Sequence, residues 1–494
     1  MRNTLISLGL LLTPFITIAE PLNVTPFDPD RDSFNDLYYM QQHNTYDYST
    51  NLTDWLDYGF GAVELDVIDR GDWEAEQYGP YVSHSTNPGH KNCSASGDTR
   101  IGHCLDDIKA WISKHQPQYP VIVLVDLKAS WDPLNAWSSD EVGELDYWLR
   151  NYLGDEQYRF DDYLQNYLLP KATQTHPEWT STPEAHVREL TKSYGWPKVR
   201  ALAGKIIVVM TGGHIGSKNE NFRSGWNWLR NNQGIYPSTF MCPEASTIDQ
   251  IKIGGTLDGI SSTESQRFIC NNMEQAKNYQ DLANTVADNK QMMHLWGTSP
   301  ASPDSFEYNY VAIAHGVQFI SREKDTPQEH DTWDGAIPLI GVRRSLPGFF
   351  QLYNSSSALC MDVKNSNYAN GSPLINNSCT AGDNQQFVYT AEAQLRPKGN
   401  ATYCVDIKGG TSGNDVNVHL WDCDGGSSER WSIQPQGSFI NHNDNTGGDS
   451  GNGYCLDTNT GSMLTKYRLW SCNQFNAPSR FLLQPVASWS NSYQ

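Results

Sequence analysis

Short runs of apolar residues recur along residues 20–343, separated by longer stretches of mixed character. Runs of this length, bounded by polar residues, predict buried β-strands. Eight such runs occupy residues 37–42, 62–67, 81–82, 121–127, 205–211, 238–242, 291–296 and 317–321. Because they alternate with helical or irregular segments, they predict an α/β fold, a (β/α)8-type TIM barrel.

A long insertion, residues 129–200, separates the fourth and fifth predicted strands. Within it, Ser139–Leu153 begins with acidic residues and carries Val142, Leu145, Trp148 and Leu149 at helical spacing. This pattern predicts an amphipathic helix whose apolar stripe packs into the core and has no direct functional role.

Polar residues with catalytic potential lie at the ends of the first four predicted strands. The carboxyl ends of barrel strands form the face where active sites are built, so we expect these side chains to lie together. Glu64 and Asp66 alternate along one strand and should point to the same side. Carboxylate and amide oxygens suit Ca²⁺ or Mg²⁺, and imidazoles suit general acid–base catalysis. The residues concerned are His43, Asn44, Glu64, Asp66, His84, Asp126 and Lys128.

Four fragments carry these residues: QQHNTYD at 41–47, VELDV at 63–67, VSHS at 82–85 and VIVLVDLK at 121–128. In this order they resemble the catalytic domain of phosphatidylinositol-specific phospholipase C, in its metal-dependent branch. The resemblance implies catalysis by His43 and His84, with Glu64 serving as both ligand and base. It also implies a divalent cation, Ca²⁺ in preference to Mg²⁺, held by Asn44, Glu64, Asp66 and Asp126.

The chain departs from the family pattern in two places. Asp126 is one methylene shorter than the glutamate that the family usually carries there. The loop between the Glu64-x-Asp66 pair and His84 is longer than usual. Lys128 has two interpretations, either as a contact to a substrate phosphate or as a strand-end surface cation.

The resemblance implies a phosphoric diester hydrolase or lyase that acts on phosphatidylinositol or a related glycosyl-inositol lipid. An inositol hydroxyl would attack the phosphorus, giving diacylglycerol and an inositol cyclic phosphate. Which histidine is the base and which the acid stays open. Glycerophosphodiester phosphodiesterase is the alternative, since that family shares the Glu-x-Asp, His and acid-x-Lys features. It usually carries His-Arg where this chain has His43-Asn44.

The pattern changes near residue 343, and three similar units of roughly 45–50 residues follow. They contain CMDV, CVDI and CLDT, each followed by a second cysteine and then by QQF, ERW or SRF. The repeats resemble the ricin B-type lectin, an all-β β-trefoil, over residues 347–487. The resemblance implies sugar binding, best in the second unit through Asp406, His419 and Trp421, and then in the third through Asp457 and Trp470.

The first lectin unit keeps Asp362 but carries Asn377 where the stacking aromatic is expected.

A second class of function stays open, that of a carbohydrate-binding protein whose barrel is a non-catalytic scaffold. The complete set of barrel residues argues against that interpretation, because the loss of any member would be the sign of a decayed site.

The net charge of −21 and a pI near 4.9 argue against nucleic-acid binding and against membrane attachment through a basic patch. Abundant aromatics, 16 Trp and 25 Tyr, suit sugar stacking and peripheral contact with a membrane interface. We expect a monomer.

Residues 1–19 predict a secretory signal peptide, because Arg2 precedes an apolar run that ends at Ala19. Residues 488–494 form a polar tail. Ten cysteines, an even number, predict disulfides in a secreted protein. Their spacing favours five local pairs, Cys93–Cys104, Cys242–Cys270, Cys360–Cys379, Cys404–Cys423 and Cys455–Cys472.

Overall fold

The structure is a computed structural model. It describes residues 27–47, 51–70, 73–84, 92–93, 100–128, 137–212, 218–274, 279–296, 312–322, 339–344, 349–354, 356–380, 382–390, 393–433, 438–443, 453–472, 477–479 and 481–485. The predicted signal peptide and the predicted polar tail lie outside these residues. Within them, no helix is both long enough and apolar enough to cross a membrane.

The first part of the chain is a barrel of eight parallel strands in the order β6-β5-β4-β2-β1-β9-β8-β7. A parallel bridge between Glu244 and Asn272 and the disulfide Cys242–Cys270 close it between β6 and β7. The strands of this part are β1 Leu37–Gln42, β2 Ala62–Ile68, β3 Tyr81–Val82, β4 Val121–Lys128, β5 Ile206–Thr211, β6 Phe240–Cys242, β7 Cys270–Glu274, β8 Met292–Trp296, β9 Phe319–Arg322 and β10 Ile340–Val342.

Helices cover the outside of the barrel, as the alternating pattern predicts. They are α1 Leu52–Tyr58, α2 Ile101–His115, α3 Ser139–Leu153, α4 Leu169–Thr175, α5 Val187–Tyr194, α6 Lys218–Trp228, α7 Ile248–Ile251, α8 Ser262–Ser265 and α9 Tyr279–Asp288. Two π-helical segments, Asp162–Leu168 and Leu229–Gln233, and several one-turn 3₁₀ segments connect them.

The predicted number of barrel strands, eight, is confirmed, but one of the eight predicted strands does not belong to the barrel. Tyr81–Val82 pairs antiparallel with the end of β2 and lies outside the barrel wall. The missing barrel strand is β7, whose sequence CNNME does not form an apolar run. Its Asn271 and Asn272 are nonetheless buried, because their amides bond to neighbouring strands. Asp126 therefore lies on the third barrel strand and not the fourth.

The inserted helix α3 has the bounds predicted for it, and its stripe is core. Val142, Leu145 and Leu149 are fully buried. Asp146, on the same helix, accepts hydrogen bonds from the backbone N–H groups of Ser238 and Thr239 at 2.7–3.1 Å. These bonds fix the helix to the segment that leads into β6.

The interior of the barrel changes from apolar to polar toward the carboxyl ends of the strands. Asp66 lies in register with Asp126, Asp126 with Thr211, and Asn272 with His294. Residues in register on neighbouring strands share a face of the sheet, so these polar side chains form one layer. This layer positions the candidate site.

The C-terminal part is a β-trefoil built of antiparallel strands. The third residue of each repeated motif, Phe387, Trp431 and Phe481, is buried in the common core. The strands are β11 Phe350–Asn354, β12 Leu359–Val363, β13 Leu374–Asn377, β14 Phe387–Tyr389, β15 Leu395–Pro397, β16 Tyr403–Ile407, β17 Val418–Asp422, β18 Trp431–Ile433, β19 Phe439–Asn441, β20 Tyr454–Asp457, β21 Arg468–Ser471 and β22 Leu482–Pro485.

All five predicted disulfides are confirmed, and they account for every cysteine of the chain. Three of them lie in the trefoil, one in each unit. The Cys242–Cys270 bond links β6 to β7, where the barrel wall has one bridge and no continuous ladder.

Candidate active site

Three carboxylates meet at the carboxyl ends of β2 and β4. Glu64, Asp66 and Asp126 each place one oxygen within 4.8 Å of the others, and all three side chains are buried. Burial raises the pKa of Asp66 well above its usual value, and the neighbouring Glu64 and Asp126 raise it further. Three like charges in a buried cluster need positive charge nearby.

Lys128 supplies part of that charge. Its Nζ lies 2.6 Å from Asp126 Oδ2 and 3.5 Å from Asp66 Oδ2, and the residue is 5% exposed. Burial acts to lower the pKa of Lys128, but Asp126, Asp66 and Glu64 outweigh it and the pKa is raised. The interpretation as a surface cation is therefore wrong. Contact with a substrate phosphate stays a prediction, since the ammonium here faces carboxylates.

The cluster fits a divalent cation in two respects. Asn44 Oδ1 and Asp66 Oδ1 are buried oxygens with no hydrogen-bond partner in the described part of the chain. Such atoms are costly and are explained when an ion binds there. In the deprotonated form that binds a metal ion, the three carboxylates and one ammonium would also carry a formal charge of −2. Asn44, Glu64, Asp66 and Asp126 are the residues that could hold the ion.

The turn after β1 is bonded to β2, which sets the position of Glu64. Glu64 Oε2 accepts hydrogen bonds from Gln41 Nε2 at 2.8 Å and from the Asn44 N–H at 3.1 Å. Thr45 Oγ1 donates to the Gln42 carbonyl and accepts from the Glu64 N–H. Asn44 has a positive φ of 50°, a conformation that asparagine tolerates better than most residues.

The two predicted catalytic histidines are placed differently. His43 is half-buried, and its Nε2 lies 3.9 Å from Glu64 Oε2. His84 is exposed on the segment after β3. The preceding residue, Ser83, donates its N–H to the Asp66 carbonyl at 3.0 Å, so the structure brings this segment to the same face of the barrel.

Sequence reasoning missed the polar side chains that hold the predicted set in place. Tyr46 donates its hydroxyl to Asp66 Oδ2 at 3.0 Å, and Thr211 donates to Asp126 Oδ1 at 2.5 Å. Gln41 donates a hydrogen bond to Glu64, and the fully buried His294 is in turn hydrogen-bonded to Gln41. A polar residue within an otherwise apolar strand, as at Gln41 and His294, was the available signal.

In the second trefoil unit the predicted residues lie together, with Asp406 and His419 largely buried and Trp421 exposed. Asp406 pairs in register with His419, whose Nε2 is 3.5 Å from Asp406 Oδ1. Ser428 donates to Asp406 Oδ2 at 2.7 Å. Trp421 stacks against His419 at 5.4 Å between ring centroids and is 42% exposed. An exposed ring next to an anchored carboxylate suits a sugar.

In the other two units, other side chains of the protein contact the residues expected to bind sugar. In the third, the Arg468 guanidinium lies 4.0 Å from the centroid of Trp470, and its Nε donates to Asp457 at 3.1 Å. In the first, one oxygen of Asp362 accepts from three amide groups, those of Asn377, Asn384 and Gln385. The second unit is therefore the most open.

The C-terminal repeats match a known domain model, the ricin-type beta-trefoil lectin domain, over residues 348–481. This part of the chain is therefore similar to ricin-type lectins, and its structure is a β-trefoil. The match confirms the fold predicted from the three repeats. No curated protein matches the chain.

Solved structures of the predicted kinds are similar to each part. A calcium-dependent phosphoinositol-specific phospholipase C from a Pseudomonas species is 19% identical, with 65% of this chain and 99% of that chain covered and a TM-score of 0.47. A Ca²⁺-dependent phosphatidylinositol-specific phospholipase C from Streptomyces antibioticus is 18% identical, with 63% and 99% covered and a TM-score of 0.46. The C-half of an earthworm R-type lectin is 17% identical, with 28% and 98% covered and a TM-score of 0.23.

Replacing Lys128 tests whether the carboxylate cluster is a cation site. In chelator, Lys128→Met should lose about 3–5 kcal/mol of stability, because it leaves buried carboxylates without their partner. Added Ca²⁺ should reduce the difference in stability between the variant and the wild-type protein, since the ion replaces the missing charge. Thermal unfolding with EDTA and with CaCl₂ measures both effects.

Lys252→Met is the matched control, because that lysine is exposed and forms a surface ion pair with Asp249. It should change little under either condition. A stability gap between Lys128→Met and the wild-type protein that is the same with and without Ca²⁺ would contradict the cation site.

Proposed function

We propose that the barrel cleaves the phosphodiester of phosphatidylinositol or of a related glycosyl-inositol lipid, with a divalent cation bound at its mouth. The observation that carries this proposal is the buried cluster of Glu64, Asp66 and Asp126, with an imidazole beside it. Asn44 and Asp66 each have an oxygen with no hydrogen-bond partner among the residues that the structure describes. Hard oxygen ligands next to a general base suit phosphodiester chemistry.

Asn44, Glu64, Asp66 and Asp126 would hold the ion, and Ca²⁺ is favoured because it accepts a mixed set of amide and carboxylate oxygens. When bound, the ion would supply positive charge to a phosphate oxygen as charge develops there. Tyr46 and Thr211 hold two of the carboxylates by hydrogen bonds, so these ligands are fixed before substrate arrives.

His43 is assigned the role of base. Its Nε2 faces Glu64 Oε2, and that oxygen already accepts two N–H groups, so Glu64 is better suited to orient the ring than to take a proton. The inositol 2-hydroxyl gives its proton to His43 as its oxygen bonds to phosphorus. The bond from phosphorus to the glycerol oxygen breaks, and His84 protonates that oxygen. The products are diacylglycerol and an inositol cyclic phosphate.

Glycerophosphodiester phosphodiesterase is the second candidate for the barrel. It is favoured by one observation, the ion pair between Asp126 and Lys128 beside the Glu64-x-Asp66 pair. The two functions differ in substrate, since the second acts on deacylated glycerophosphodiesters. The experiment below therefore offers both.

The lectin domain would bring the enzyme to glycosylated surfaces through the second unit. Tethering raises the local concentration of an enzyme at a membrane without changing its chemistry. The exposed Trp421 and the anchored Asp406 support this role. Five disulfides support secretion into an oxidising compartment.

Phosphorus NMR tests the reaction class. Phosphatidylinositol incubated with the protein and Ca²⁺ should give an inositol cyclic phosphate, and excess chelator should remove most of the activity. Ca²⁺ should restore it better than Mg²⁺. Cleavage of glycerophosphoinositol with no action on phosphatidylinositol would favour the second candidate. Full activity in chelator would rule out metal dependence.

Substituting the histidines tests their assignment. His43→Ala and His84→Ala should each lower turnover by about two to four orders of magnitude, the usual scale for loss of general acid–base catalysis. Thermal stability should change little, because neither ring is fully buried. His176→Ala, at a half-buried site in the insertion, is the control and should be fully active. Near-normal turnover in either test variant removes that histidine from the mechanism.

Trp421→Ala and Asp406→Ala test the lectin site. Each should weaken binding to a glycan array and slow cleavage of glycan-bearing membranes, while a soluble substrate is cleaved at the normal rate. Trp470→Ala serves as the comparison and should have a smaller effect, because Arg468 covers that ring. If both substitutions leave glycan binding intact, the second unit is not the sugar site.

A further inference from the structure

A row of three uncharged side chains crosses the barrel interior and ends on Glu64. His294 Nδ1 lies 2.8 Å from the Asn272 side-chain oxygen, and His294 Nε2 lies 3.1 Å from Gln41 Oε1. Gln41 Nε2 then donates to Glu64 Oε2 at 2.8 Å. The row joins β7, β8, β1 and β2, and each of its members is at most 3% exposed.

The direction of these hydrogen bonds follows from Gln41. Its amide nitrogen donates to both Glu64 Oε2 and the Gln42 carbonyl, so its oxygen faces His294. His294 therefore donates from Nε2. Burial lowers the pKa of His294 to about 4 despite Glu64 and Asp126 nearby, so the ring is neutral near pH 7.

Asn272, at the far end of the row, lies where the barrel closes between β6 and β7. The Asn272 N–H donates to the Pro243 carbonyl at 2.9 Å, and the Ala245 N–H donates to the Asn272 carbonyl at 3.1 Å. These are the backbone bonds beside the Cys242–Cys270 disulfide. Asn272 therefore has a fixed backbone, and the row has a rigid starting point.

His315 shows what a merely structural buried histidine looks like in this chain. It is 1% exposed, and its Nδ1 lies 3.0 Å from the Asn284 amide nitrogen. Its Nε2 has no hydrogen-bond partner among the described residues. His294 differs because both of its ring nitrogens are engaged and one of them leads toward a carboxylate at the mouth.

We propose that Asn272, His294 and Gln41 form a positioning relay that holds Glu64 Oε2 and so presents the other carboxylate oxygen to the cation. The proposal rests on the proposed function, in which Glu64 is a ligand. None of the three residues touches reacting atoms. Residues that orient metal ligands in this way commonly change metal affinity when they are replaced.

Calcium titration calorimetry on the full chain tests the relay, with thermal unfolding in chelator as a second readout. His294→Leu should bind Ca²⁺ about 10- to 100-fold more weakly than the wild-type protein. His294→Gln should bind more tightly than His294→Leu, because the glutamine nitrogen can replace Nε2 as donor to Gln41. Asn272→Leu should weaken binding in the same direction but by less.

His315→Leu is the matched control. It removes a buried imidazole away from the cluster, so it should lower thermal stability and leave Ca²⁺ affinity unchanged. If His294→Leu does not fold, the comparison of His294→Gln and Asn272→Leu with the wild-type protein decides the question, and unchanged affinity in both overturns the relay.

The outcomes separate the relay from the proposed function. Calcium binding that is equal in the wild-type protein and in folded His294→Leu overturns the relay alone. Equal weakening by His315→Leu also overturns it, because the effect would then be general destabilisation. A wild-type chain that binds no Ca²⁺ contradicts the proposed function as well as the relay.

Discussion

The organisation of the barrel mouth depends on the repulsion between three buried carboxylates. Glu64, Asp66 and Asp126 lie within one small cluster, and burial makes their charges costly. Lys128 offsets one charge, while Tyr46, Thr211 and Gln41 fix individual oxygens by hydrogen bonds. The remaining charge, and the oxygens of Asn44 and Asp66 that have no hydrogen-bond partner among the described residues, suit a divalent cation. The proposed chemistry depends on that ion.

The two domains have different roles in the proposed activity. The barrel would supply the chemistry at the face where its strands end, and the trefoil an exposed aromatic ring beside a fixed carboxylate. The trefoil repeats its architecture three times, but only its second unit leaves this pair open. In the third unit Arg468 covers the ring of Trp470, and in the first unit asparagine and glutamine amides donate to one oxygen of Asp362.

The sequence predicted the fold and the cysteine pairs well, because apolar runs, repeats and local spacing report on burial directly. It failed at β7, since Asn271 and Asn272 look like loop residues until their partners on the next strand are known. It also failed to find His294 and Gln41. A polar residue in an apolar strand marked each of them, but their role comes from a contact across the barrel between residues separated by 253 positions, which a local pattern does not identify.

A crystal structure of the protein grown with Ca²⁺, with the ion identified by its anomalous signal, tests the central claim most directly. The account predicts one ion at the mouth of the barrel, with oxygens of Asn44, Glu64, Asp66 and Asp126 about 2.3–2.6 Å away. A well-ordered cluster without an ion at saturating Ca²⁺, or an ion held by other residues, would contradict it.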